Sequence, residues 1–188
     1  MRRGADDTVI LVLDLCYRAG SLSRYEFVEP VAAALRRAGA EIDILHYREL
    51  DDPSGYDKVV LCGTALKDRR CLDDAEQLSW IQEWKRPMLG ISTGAALICS
   101  VLGGGVLPGV HIGMDDVRII AETRLLGEPR KIPAFHLHSV RLALPSELIE
   151  VAEKCEAFMC RDRPVYGLLF DPEVRNRWIL DRFVKCEK

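Results

Sequence analysis

Arg86-Pro87-Met88-Leu89-Gly90-Ile91-Ser92-Thr93-Gly94-Ala95-Ala96-Leu97-Ile98-Cys99 reads as strand, sharp turn and helix. Met88 to Ile91 is an apolar run too short for a helix and bounded by Gly90 and Gly94, the pattern of a strand buried on both faces. Ser92 or Thr93 can cap the helix that follows, and Ala95 to Ile98 are uncharged helix formers suited to the protein interior. Gly90 to Gly94 also has the G-x-S-x-G spacing. A side chain held on a strained strand-to-helix turn needs neighbours without a Cβ, and it then points out beside the free N–H groups of the helix start. Ser92 is where a nucleophile would sit, although two small residues flanking a serine also occur in an ordinary tight turn.

Working towards the N-terminus, Lys58-Val59-Val60-Leu61-Cys62 is a further apolar strand that ends at Gly63-Thr64. Backbone N–H groups of such a turn can face a ligand, so Gly63 and Thr64, together with Thr93, are candidates for an oxyanion or ligand site. Thr8 to Leu15 reads as a central parallel strand and Glu41 to Tyr47 as one nearer the sheet edge. Between them lies a helix with Phe27, Val28, Val31, Ala32, Leu35 and Ala38 on its apolar face, stopped by Gly39. Leu72 to Trp84 is expected to be helical. Strands alternating with helices over short connections specify a parallel sheet covered on both faces, with ligands outside the carboxyl ends of the strands.

Beyond Cys99 the pattern changes. Gly103 to Gly105 end the helix, while Asp116 to Thr123 and Ile132 to His138 alternate as antiparallel strands do. A helix is expected from Ser146, with Leu148, Val151, Ala152 and Cys155 on one face. Val165 to Phe170 reads as a strand, and the last helix is expected to start at Pro172-Glu173, with Val174, Trp178, Ile179 and Phe183 buried.

At 188 residues, with 48% hydrophobic and 29% charged residues, one soluble domain over residues 1–188 is expected. The net charge of −3 and the scattered cations, including the Arg2-Arg3 pair, give no reason to expect nucleic acid as partner. No apolar run suits a membrane span, and Asp6 and Asp7 stand where a signal peptide would be apolar, so a cytoplasmic location without membrane attachment is expected. The seven cysteines are odd in number and form no C-x-x-C, which predicts reduced, mostly buried thiols and no metal. His138, Asp171 and Glu173 are suitable ligand types without a metal-site spacing, and His46 and His111 stand in no informative context.

Taken together, these segments resemble the class I glutamine amidotransferases over nearly the whole chain. Lys58 to Asp68 resembles that family's strand and oxyanion turn, Arg86 to Gly94 its K-P-x-L-G-I-C-x-G elbow, and Gly103 to Val106 its glycine turn. Phe135 to Ser139 resembles the segment crossing the site, and Val165 to Glu173 the Y-G-V-Q-F-H-P-E strand end. The resemblance implies a three-layer, mostly parallel, flavodoxin-like α/β fold. It also implies removal of ammonia from glutamine by a cysteine, activated by a histidine that a glutamate orients, with no cofactor. Glutamine or a related small molecule, and a synthetase or other protein subunit, are the implied partners.

Three positions depart from that pattern. Ser92 stands at the cysteine position, Asp171 at the histidine position and Ala96 at a glutamine that helps hold substrate; only Glu173 matches. A serine hydroxyl needs a base within hydrogen-bond reach, and a carboxylate is a weak substitute for imidazole. Loss of a nucleophile or base costs on the order of 10⁶ in turnover. The expectation is a domain without ordinary glutaminase activity that binds a ligand or pairs with a subunit. The alternative is a serine hydrolase on the same scaffold, in which His136 or, preferentially, His138 replaces the missing base, since alternate strand residues face one side.

Overall fold

The computed structural model describes residues 8–186; Arg2, Arg3, Asp6 and Asp7 lie outside them. Five parallel strands form one half of a nine-stranded sheet: β1 (Val9–Asp14), β2 (Glu41–His46), β3 (Lys58–Leu61), β4 (Met88–Ile91) and β9 (Val165–Leu168). The other half is antiparallel and consists of β5 (Gly105–Ile119), β6 (Arg130–Ala143), β7 (Leu148–Ala152) and β8 (Ala157–Cys160). The order is β2-β1-β3-β4-β9-β8-β7-β5-β6, so β2 lies at an edge, as its less apolar pattern indicates.

Side chains alternate across the parallel strands and feed two separate cores. Ile10, Val12, Val60, Leu89 and Ile91 pack under α2 (Glu29–Arg37) and α5 (Trp178–Lys185), through Val31, Leu35, Ile179 and Phe183. Leu11, Leu13, Val59, Leu61 and Met88 pack on the opposite face under α4 (Thr93–Val101), through Ala95, Ala96, Leu97 and Ile98. These are the three layers that the strand and helix alternation requires. Among the described residues, no helix is long and apolar enough to cross a membrane. All seven cysteines carry free thiols, and five of them are buried.

Several local expectations are corrected. The helix expected over Leu72 to Trp84 is instead a single turn, α3 (Arg70–Asp73), followed by a 3₁₀ stretch over Ala75–Gln82 with a kink at Leu78. Its last carbonyls are satisfied from outside: the buried Arg163 guanidinium donates to the Ile81, Gln82 and Trp84 carbonyls at 2.6 to 3.0 Å. The helix expected from Ser146 is strand β7, because pairing with β8 and with Ile119 of β5 overrides its helix-like spacing. Pro172 to Arg177 forms turns, and α5 starts only at Trp178. The upstream helix is split into α1 (Ser23–Phe27) and α2.

Candidate functional site

Ser92 lies between β4 and α4 with φ 51 and ψ −110, a strained conformation for a residue with a side chain. Its surroundings explain the flanking glycines. A Cβ on Gly90 would sit 2.6 Å from the Gly94 carbonyl oxygen, and one on Gly94 would sit 2.2 Å from that of Leu61. Only residues without a Cβ let the turn close this tightly against β3. The Ser92 N–H donates to the Leu168 carbonyl at 2.7 Å, which fixes the turn to the end of β9.

Gly63 packs against the same turn, since a Cβ there would lie 3.2 Å from the Ser92 Cβ. The Thr64 hydroxyl donates to the Asp68 carbonyl at 2.7 Å, and Thr93 completes the pair at 2.8 Å from Thr64 Oγ1. Because a carbonyl only accepts, Thr93 is the donor in that pair. Gly63, Thr64, Ser92 and Thr93 thus meet at the carboxyl ends of β3 and β4, as expected for a ligand site in an open α/β sheet.

Strand β6 crosses over these ends. The Ser139 hydroxyl donates to the Leu66 carbonyl at 2.8 Å, Ser92 Oγ donates to the Leu137 carbonyl at 3.3 Å, and the Asp171 N–H donates to the Phe135 carbonyl at 2.8 Å. Leu137 was not singled out by sequence reasoning, because its part is played by the backbone and leaves no side-chain signature.

Asp171 and Glu173 follow β9 and are buried, and Asp171 Oδ2 and Glu173 Oε2 have no hydrogen-bond partner. Burial pushes the Asp171 carboxyl well above the ordinary carboxylate range, and the charge of Glu173 pushes it further. Burial also raises Glu173, against the opposing effects of a backbone hydrogen bond and Arg177. Burial and the repulsion between the two carboxyls disfavour ionising both, so the pair retains a proton at neutral pH.

His138 and Ser92 share no hydrogen bond. Ser139 points towards the Thr64 loop, so its neighbours His136 and His138 point to the other side of the strand. His138 Nδ1 lies 3.0 Å from the Val140 carbonyl, and its Nε2 has no hydrogen-bond partner. Both histidines instead gather with His111 and Glu156, two residues that no local motif associates with them. The alternating His136 and His138 were the one visible signal. The set His138, Asp171 and Glu173 considered from the sequence is not among the groupings of ligand-type side chains found in the described residues.

A family model described as glutamine amidotransferase class-I matches residues 23–180, and the chain belongs to that family. Among relatives, a subunit of the glutamine-hydrolyzing GMP synthase of Thermoplasma volcanium is 31% identical over 155 residues, covering 76% of this chain and 75% of that protein. The glutamine-hydrolyzing GMP synthase of Phenylobacterium zucineum is 29% identical over 186 residues, covering 92% of this chain but 34% of that longer protein. The structure of a protein assigned as a GMP synthase subunit from Thermoplasma acidophilum superposes with a TM-score of 0.79 at 26% identity, covering 95% of this chain and 93% of that one. A glutamine amidotransferase from Thermotoga maritima shares the fold, with a TM-score of 0.68 at 22% identity, covering 92% and 80% of the two chains.

Proposed function

We propose that residues 1–188 form one amidotransferase-like domain that does not hydrolyse glutamine at an ordinary rate and acts as a binding or subunit-like module. The observation that carries this reading is the hydrogen bonding of Ser92. Its hydroxyl donates to the Leu137 carbonyl, and among the described residues no imidazole lies within hydrogen-bond reach to take its proton. Ser92 stands where a nucleophile would on a strained elbow, but a hydroxyl without a base is barely nucleophilic.

Asp171 does not supply that base. A carboxyl that keeps its proton cannot accept one from Ser92, and burial raises both Asp171 and Glu173, which leaves the pair poorly suited to general-base work. Ala96 is fully buried in α4 and offers no polar group to a substrate.

Gly63, Thr64 and Thr93 would line the ligand side, and glutamine or a related small molecule is the ligand class that the family suggests. Relatives named as GMP synthase subunits support a synthetase partner. The test compares ammonia release from glutamine by the wild type and by the Ser92→Cys, Asp171→His double variant. Wild type is expected at background, with any gain confined to the double variant. Wild-type turnover above background, equal to or greater than that of the double variant, would contradict the reading.

A further inference from the structure

The most unusual polar grouping lies across β6 from Ser92. Four ligand-type side chains, His111 of β5, His136 and His138 of β6, and Glu156 just before β8, place one potential ligand atom each within 4.8 Å of all the others. His136 Nδ1 is 3.3 Å from Glu156 Oε2, and His111 Nδ1 is 3.7 Å from Glu156 Oε1. The rings of His111 and His136 stack with centroids 3.8 Å apart. The cluster lines the inner wall of a cavity of about 680 Å³.

We propose that these four residues form a binding site for a single divalent transition-metal ion of the zinc class. Zinc bound to imidazole and carboxylate has bonds of about 2.0 to 2.2 Å, which puts tetrahedral ligand atoms roughly 3.3 to 3.6 Å apart. Contacts of 3.3 and 3.7 Å already approach that spacing. Three imidazoles and one carboxylate are a donor set that suits zinc, and four protein ligands make the closed coordination of a structural site.

The unpartnered atoms point to the same ligand. His136 is 1% exposed, yet neither of its ring nitrogens has a well-aligned hydrogen bond, the 3.3 Å contact to Glu156 included. His138 is 5% exposed and its Nε2 is also unpartnered, while Glu156 Oε2 has only the poorly aligned 3.3 Å contact with His136. Leaving buried ring nitrogens without an aligned partner is unfavourable, and a bound cation would remove that penalty.

The surroundings orient these donors. The Val140 carbonyl can only accept, so His138 carries its proton on Nδ1 and presents the Nε2 lone pair to the cluster. His111 Nε2 lies 3.5 Å from Asp115 Oδ2, which leaves Nδ1 turned to the cluster in a carboxylate–histidine arrangement. The Glu156 carbonyl accepts from the Leu169 N–H at 2.8 Å, holding the fourth ligand's backbone in place. A bound ion would tie the β5–β6 hairpin to the connection entering β8.

The full chain, freed of metal by chelator dialysis, should be titrated with Co²⁺ and then Zn²⁺ at neutral pH. One Co²⁺ per chain is expected, with the strong d–d absorption of a tetrahedral site, no thiolate charge-transfer band, and displacement by Zn²⁺. His136→Ala and Glu156→Gln should each weaken binding by at least about 100-fold, beyond the 10- to 100-fold typical of supporting residues. Zn²⁺ should raise the unfolding temperature of the wild type but not of either variant. Glu156→Gln changes a partly exposed side chain and keeps the test valid if His136→Ala does not fold. Absence of stoichiometric binding, a thiolate band, or unchanged affinity in Glu156→Gln would overturn the proposal.

Discussion

The Ser92 hydroxyl is hydrogen-bonded to the Leu137 backbone carbonyl at 3.3 Å, on the strand that crosses the carboxyl ends of the parallel sheet. A carbonyl can orient this hydroxyl but cannot accept its proton in a reaction. In the function we propose, the serine is held by the fold without a base to activate it. A fluorophosphonate probe, which reports activated serines, is expected to leave the wild type unlabelled. His138→Ala should make no difference, and mass spectrometry showing His138-dependent labelling of Ser92 would restore the hydrolase alternative.

The turn itself should be intolerant of added volume. A Cβ on Gly94 would fall 2.2 Å from the Leu61 carbonyl oxygen, inside backbone that cannot swing away as a flexible side chain could. Gly94→Ala is expected to cost about 3 kcal/mol or more, at or beyond the upper end of ordinary overpacking. Gly55→Ala, where nothing lies within 4 Å, should change stability far less. Urea denaturation midpoints at constant m value would measure both.

Asp171 and Glu173 make stability depend on pH in an unusual direction. Unfolded carboxyls release their protons near pH 4, whereas burial raises both groups in the folded chain and their mutual repulsion holds at least one proton there. The folded state then binds more protons, so this contribution to stability is full below about pH 4 and is lost as pH rises through neutrality. The slope is up to about 1.4 kcal/mol per pH unit for each proton retained. Asp171→Asn should flatten it, as measured by denaturation at a series of pH values; an unchanged slope would show that the pair does not carry the effect.

The parallel half of the sheet was legible because its inner strands are apolar runs, and β4 with the Ser92 turn could be placed residue by residue. The antiparallel half was less so. Residues 148 to 152 have helical spacing, and only their pairing with Ala157 to Cys160 and with Ile119 makes them a strand. The site divides in the same way. Ser92, Thr93, Gly63 and Thr64 could be located from local motifs, but which side of β6 His138 faces depends on strand parity relative to Ser139 and Leu66. The grouping of His111 with His136 and His138 arises from the β5–β6 register, in which His111 is opposite His138, and Glu156 comes from another connection altogether.

The most direct test of the central claim is ammonia release from glutamine by the wild type beside Ser92→Ala, assayed at equal concentrations. The hydroxyl has a carbonyl partner and, among the described residues, no imidazole base, so both proteins should remain at the same background rate. Sustained wild-type turnover that Ser92→Ala abolishes would contradict the account.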